Sequence, residues 1–463
     1  MLPLSMDGGT TLHAVKATRN ATRSAILGLA LLLAGGCGQA ADQTPPPGES
    51  PGNSPQTTAS PRSSATPTEG ATLPASRIPP EATIVLLVDA GLHPGIAGSV
   101  AQFEADLADE AYAVIVKKSS MSTPEEVRDY LRDTYETASP RLEGAILIGD
   151  IPRPRYRLFV PARAGCNVAD RGPEEYVSMQ FYQDLDGVYS RSDPGSCDHA
   201  GCYDGHTGDV GSEIWVSVLP FVTDDATTID RVNRYFARNH AYRIGADRPH
   251  KGFFLAGIGA SIDTPQKYDD QVAFSTSSSY AWTPIASRGN VGVFLDNSLG
   301  DPARYPQAAD GFETELLSGE YDFAEISAHG SPTVLGAQGG SIKINASWVS
   351  GHRIRATFVW DMSCSNGDLD VDGNLLTAFV YSDSDVLLAA GATGDSGGLG
   401  TNVNGFFRPN IGQALAAGET IGQAYLDHIN APFEGCNLYQ REYFTAPTVF
   451  IGDLTLRLQE HMG

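Results

Sequence analysis

Thr83-Ile84-Val85-Leu86-Leu87-Val88 is an unbroken apolar run, and its reading decides the fold. A strand with one wet face alternates apolar and polar residues, whereas a strand covered on both faces does not. The run therefore predicts a strand in the interior of a parallel sheet. Working outward, Val100, Phe103 and Leu107 recur at helical spacing, and Ala113 to Val116 supplies a second strand. Thr123-Pro124-Glu125-Glu126 has the form of a helix start, with a Thr cap, Pro at the first helical position and Glu three residues after the cap. Val127, Tyr130 and Leu131 give that helix its buried face, and Ala145 to Ile148 closes the unit before Gly149-Asp150. The order β-α-β-α-β requires parallel strands with helices on the faces.

The same alternation continues to the end of the chain. Further strands are expected at Ile214–Leu219, Phe253–Ile258, Val291–Leu295, Phe323–Ser327, Ala356–Trp360, Val386–Ala390 and Val449–Ile451. Helices are expected at Thr228–Tyr242, Phe312–Leu317, Ile411–Ala416 and Ile421–His428. The fold class is α/β, with two adjacent subdomains, 81–165 and 166–463, built on mainly parallel sheets flanked by helices.

Residues 1–80 read differently. Lys16, Arg19 and Arg23 precede an apolar run from Ala25 to Ala34, too short to span a bilayer, and then Gly35, Gly36 and Cys37. Such a basic, apolar and small-residue series is a secretory signal. Leu33-Ala34-Gly35-Gly36-Cys37 resembles a bacterial lipobox, with Ala34 where Leu is usual, which implies lipid attachment at Cys37 after removal of 1–36. Residues 37–80 are rich in Pro, Ser and Thr, with no aromatic residue from Ala41 to Pro80. They cannot offset their ordering entropy by burial. They read as a disordered tether with a reach on the order of 100 Å. The expected location is the bacterial outer membrane or cell surface, with lipid as the sole membrane contact. The 55 acidic and 31 basic side chains give a net charge of −24, which repels phosphate backbones and speaks against nucleic acid as a partner.

Two of the expected strands run into reactive residues. Tyr321 to Ala328 leads into His329-Gly330-Ser331, and Ala356 to Ser363 leads into Cys364-Ser365-Asn366-Gly367. In open parallel sheets, chemistry gathers beyond the carboxyl ends of the strands. A thiolate there attacks a carbonyl, and imidazole supplies the proton that a departing amine needs. The Gly330 and Cys364 N–H groups are candidate oxyanion donors.

These features are similar to the gingipain family of caspase-like cysteine peptidases. Strand-His-Gly followed 35 residues later by strand-Ser-Cys (364 − 329) carries the likeness. Leu147-Ile148-Gly149-Asp150, Phe181 to Gly187 and Ile451 to Arg457 resemble supporting blocks of that family, and Glu213-Ile214-Trp215-Val216 resembles another. The resemblance implies a caspase-like fold, protein or peptide substrates, hydrolysis through a Cys364–His329 dyad and no required cofactor. It also makes Glu213 a candidate third member that orients the histidine. Ser217-Val218 departs from the family's Gly-Arg, and Leu454 replaces its Pro. No further immunoglobulin-like or sorting domain follows, so export is expected to rely on the N-terminal signal. A transpeptidase on the same dyad, or a surface binding module with a degenerate site, are the alternatives.

Other motifs admit plainer readings. Gly394-Asp395-Ser396-Gly397-Gly398 matches the nucleophile motif of trypsin-like serine proteases, but that fold is an all-β double barrel and this chain alternates strand and helix. Cys166, Cys197, Cys202 and Cys436 are an even set in an exported chain, which suggests two disulfides of open connectivity. Cys197, His199, Cys202 and His206 also have zinc-like spacing. Asp368, Asp370 and Asp372 open like a calcium loop, yet Phe379 stands where an EF-hand needs Glu. A looser structural calcium site is the expectation there, or at Asp184 and Asp186.

Overall fold

The apolar run forms the middle of β1 (Ala82–Asp89) in a computed structural model of the protein. Every residue from Ile84 to Val88 is fully buried. The structure describes residues 80–160, 171–191, 197, 199, 201–245, 252–256, 291–295, 316–318, 321–336, 343–361, 363–394, 418–431 and 445–457. The signal segment with Cys37, nearly all of the tether, Cys166, Cys436, Ser396 and the helix expected at Ile411–Ala416 lie outside these residues. Of the helix expected at Phe312–Leu317, residues 316–318 are described and helical.

β1 is flanked on both sides by parallel partners, β2 (Tyr112–Ser119) and β3 (Leu142–Gly149), with Val85 opposite Ile115 and Ala145. The connections are α1 (His93–Asp109) and α2 (Pro124–Thr137). The expected capping box starts α2: Thr123 Oγ1 accepts from Glu126 N at 3.3 Å, and Glu126 Oε2 accepts from Thr123 N at 3.3 Å. β4 (Arg155–Val160) and β5 (Arg171–Val177) then form a small sheet with β7 (Cys202–Tyr203). The short helix α3 (Gln180–Gln183), β6 (Val188–Ser190) and β8 (Gly205–Thr207) complete this excursion. β9 (Trp215–Pro220) returns to the main sheet, parallel to β3. α4 (Asp225–Ile244) follows, capped by Asp224, whose Oδ1 accepts from Thr227 N at 2.9 Å.

The remaining strands are β10 (Gly252–Ala256), β11 (Val291–Leu295), β12 (Tyr321–Ser327), β16 (Ala356–Asp361), β17 (Leu388–Ala392) and β18 (Thr448–Gly452). A small antiparallel sheet of β13 (His329–Ser331), β14 (Val334–Gly336) and β15 (Lys343–Asn345) projects from the end of β12. Short helices α5 (Ala346–Ser350), α6 (Leu375–Tyr381) and the longer α7 (Ile421–Asn430) complete the described elements.

The main sheet has ten strands in the order β11-β10-β12-β16-β17-β18-β9-β3-β1-β2. All adjacent pairs are parallel except β17 with β18. Five strands therefore point one way and five the other, and the division falls at β17/β18 rather than at residue 165. β9 and β18, both downstream of 165, belong with β1–β3. At the centre Trp215 is fully buried against two glycines. A Cβ on Gly422 of α7 would lie 2.5 Å from its ring, and one on Gly144 of β3 would overlap it.

Candidate active site

The register of β12 on β16 sets the site. Ile326 pairs with Asp361, so His329 and Cys364 each lie three residues beyond a paired position, on neighbouring strands and at the same edge. The main chain of His329 opens β13, which pairs antiparallel with β14; its side chain lies outside the described atoms. Gly330 brings the two strand ends into contact. A Cβ there would lie 2.6 Å from the Cys364 carbonyl oxygen, 2.6 Å from Ser363 Cβ and 3.1 Å from Cys364 N. Only glycine permits that approach. The peptide groups expected to donate to an oxyanion are thus neighbours.

Cys364 occupies a turn fixed on both sides. Before it, Asp361 Oδ1 accepts from Ser363 N at 3.1 Å and from Ser363 Oγ at 2.6 Å. After it, Ser365 adopts a left-handed backbone, φ 58°, and donates from N to Gly394 O at 2.8 Å. Gly367 N donates to Ala392 O at 2.9 Å, and Leu375 N at the start of α6 donates to Pro332 O at 2.8 Å. The turn is therefore tied to β17 and to the hairpin after His329. Cys364 is partly exposed and carries a thiol rather than a disulfide, as a nucleophile requires. Burial pushes the Asp361 carboxyl up to about 7, against the opposing effects of the Ser363 hydrogen bonds and the nearby Asn366 amide. Asp361, Ser363 and Asn366 were not singled out by sequence reasoning. The signal was present in Asp361-Met362-Ser363-Cys364, where an Asp two residues before a Ser can bind that residue's N–H.

Glu213 sits at the same sheet edge but elsewhere along it. It precedes β9, and β16, β17 and β18 stand between β9 and β12. Four strand spacings amount to about 19 Å, beyond reach of the His329 main chain through one side chain. Its Oε2 instead accepts from Leu185 N at 2.6 Å. Burial raises its pKa, with Asp186 and Asp184 acting in the same direction. The orienting role implied by the family resemblance is therefore not supported by this placement.

Ligand oxygens of Asp184, Asp186 and Glu213 lie within 4.8 Å of one another. Asp184 is already committed to protein donors: His206 Nε2 at 2.6 Å, Gly187 N at 2.6 Å and Arg128 Nη2 at 3.7 Å. Calcium takes about six to eight oxygens, so an ion at this trio would draw most of its ligands from main-chain carbonyls and water. The carboxylates of Asp368, Asp370 and Asp372 form no converging group among the described residues. Asp370 is paired with Arg155, and Asp368 Oδ1 accepts from Asp370 N at 3.0 Å. That segment is an Asx turn beside β4.

Cys197 and Cys202 form a disulfide with their Cα atoms 6.2 Å apart. This removes both sulfur ligands of the zinc alternative. Of its histidines, His199 Nδ1 meets Glu175 at 2.7 Å and His206 meets Asp184. Gly394 follows β17 in the ten-stranded sheet and supports the Cys364 turn, a setting unlike the double barrel of a trypsin-like enzyme.

The sequence profile of peptidase family C25 matches residues 103–459. Among solved structures, the Arg-specific cysteine proteinase gingipain R is similar, with a TM-score of 0.51 and 14% identity over 82% of this chain and 78% of that one. A complex of the pro- and mature domains of RgpB from Porphyromonas gingivalis is also similar, with a TM-score of 0.51 and 15% identity over 81% and 80% of the two chains. A third structure, described as a protease, has a TM-score of 0.51 at 10% identity over 82% and 79%. At these identities the likeness establishes the fold, which is gingipain-like. No curated protein sequence gives a significant match.

Proposed function

Because the chain belongs to peptidase family C25, we propose that it is a cysteine endopeptidase in which Cys364 is the nucleophile and His329 the proton carrier. The single observation behind this reading is the shared register of the two strand ends, closed by the contact of Gly330 with Cys364. The thiolate adds to the scissile carbonyl carbon, and the negative charge that develops on oxygen is met by the Gly330 and Cys364 N–H groups. The intermediate collapses to a thioester as the C–N bond breaks, and the leaving amine takes a proton from the His329 imidazolium. Neutral His329 then accepts a proton from water, which attacks the thioester and frees the thiol.

Cys364→Ala should abolish cleavage of a peptide library and covalent capture of an electrophilic peptide. Cleavage surviving in that variant would refute the assignment. His329→Ala should reduce kcat by about 10²-fold or more, the usual size of an acid–base contribution. Labelling of Cys364 without turnover of any peptide would indicate a degenerate binding module, and aminolysis products formed with an added amine would indicate transpeptidation.

We read residues 1–37 as an export and lipidation signal, from their order of basic, apolar and small residues. No helix among the described residues is long and apolar enough to cross a membrane. Loss of radiolabelled fatty-acid incorporation in Cys37→Ala is the expected result, and unchanged incorporation would reject lipid attachment there.

A further inference from the structure

Beneath the Cys364 turn lies a polar floor that the mechanism above does not use. Asp361 closes β16 with no exposed surface, and Ser363 and Asn366 are equally buried. One carboxyl oxygen of Asp361 holds both the N–H and the hydroxyl of Ser363. The other, Oδ2, has no close hydrogen-bond partner among the described residues, and the buried Asn366 amide beside the carboxyl acts on it only weakly, opposing the rise in its pKa. Buried polar atoms left unsatisfied are costly and uncommon. An apolar residue at the end of β16 would avoid that cost, but it could not hold the Ser363 N–H.

That hydrogen bond has a geometric consequence. β16 would otherwise continue straight past Asp361. Binding the N–H two residues on turns the chain, and the left-handed Ser365 completes the turn against Gly394. Cys364 is the residue between these two fixed points, with its peptide against Gly330.

We propose that Asp361 is a positioning residue for Cys364, its buried carboxyl group acting as the hydrogen-bond acceptor that fixes the turn presenting the thiol. This rests on the reading of Cys364 as nucleophile. The raised pKa of the carboxyl agrees with an acceptor role that needs no negative charge. An amide oxygen should therefore serve in its place.

The test uses the full chain and two readouts: kcat and KM on a peptide the wild type cleaves, and the rate of Cys364 alkylation by iodoacetamide. Asp361→Ala should slow both kcat and alkylation about tenfold, the size expected for losing a hydrogen bond in the transition state, with KM little changed. Asp361→Asn should recover most of that loss. Asp361→Ala reacting at the wild-type rate, or Asp361→Asn performing no better than Asp361→Ala, would overturn the proposal. Should Asp361→Ala not fold, Ser363→Ala decides, because it deletes one of the two bonds and leaves the acid in place. A drop of about threefold in alkylation is then expected, and an unchanged rate would overturn the proposal. Fast alkylation of wild-type Cys364 with no peptide cleaved would defeat the peptidase reading, while the alkylation series would still judge Asp361.

Discussion

At the scale of single residues, Gly330 and Asp361 carry consequences that can be measured. A methyl group at 330 has nowhere to go, since the Cys364 carbonyl and Ser363 Cβ each lie 2.6 Å from its position. Gly330→Ala should cost about 1–3 kcal/mol of stability, the usual range for overpacking, and peptide cleavage with it. Urea melts and activity assays on the purified variant check both, and full activity would mean the strand ends are further apart than described. Asp361 predicts a pH effect. Its folded pKa is near 7, against an unfolded value of about 3.9. The folded chain keeps a proton that the unfolded chain releases, so this contribution to stability is complete below the unfolded pKa and declines as pH rises through 7. Asp361→Asn cannot titrate and should lose that slope. Urea midpoints measured from pH 4.5 to 7.5 would show it, and parallel slopes in the two proteins would refute the assignment. The placement of His329 and Cys364 just beyond two strand ends was legible in the sequence because each follows an apolar run. Glu213 also borders a strand, and sequence alone does not reveal that three other strands lie between β9 and β12.

At the scale of elements, the apolar runs disclosed all ten strands of the main sheet but not their order. A run buried on both faces identifies an interior strand without naming its neighbours, so the reversal at β17/β18 was not readable. The small sheet of β4, β5 and β7 also escaped, because Arg155-Tyr156-Arg157 and Glu174-Glu175-Tyr176 are too polar to read as buried strands. Their facing charges take part in pairing instead, as with Arg155 and Glu175 at 3.7 Å. One buried cluster couples α4 to the end of β18. Arg243 reaches Asp453 at 2.5 Å and Thr455 Oγ1 at 2.6 Å, pairs with Glu110 at the end of α1, and donates from Nε to Asn239 Oδ1 at 2.8 Å. Burial opposes its charge, yet Asp453 and Glu110 hold it above the ordinary guanidinium range. Arg243→Met would strand Asp453 in the interior, and a loss of about 3–5 kcal/mol is expected. A denaturant midpoint matching wild type would show the pair to be dispensable.

At the scale of the whole molecule, β18 joins two half-sheets of opposite direction. It pairs antiparallel with β17 across five positions and meets β9 at Ile451 opposite Val218. It is also the last strand in chain order among the described elements. A chain shortened to end at residue 444 should lose its single cooperative thermal transition, and a calorimetric trace that still shows one sharp peak would contradict this. The placement has a meaning during synthesis. While a ribosome is still translating, β9 and β17 have both emerged but nothing yet lies between them, and each half-sheet presents an open edge of the kind that invites mispairing. The Cys364 turn leans on β17, so in a nascent polypeptide it lacks the support of a completed sheet until translation has passed Gly452. Delayed assembly of this kind would hold back the proposed peptidase site until the two half-sheets have joined.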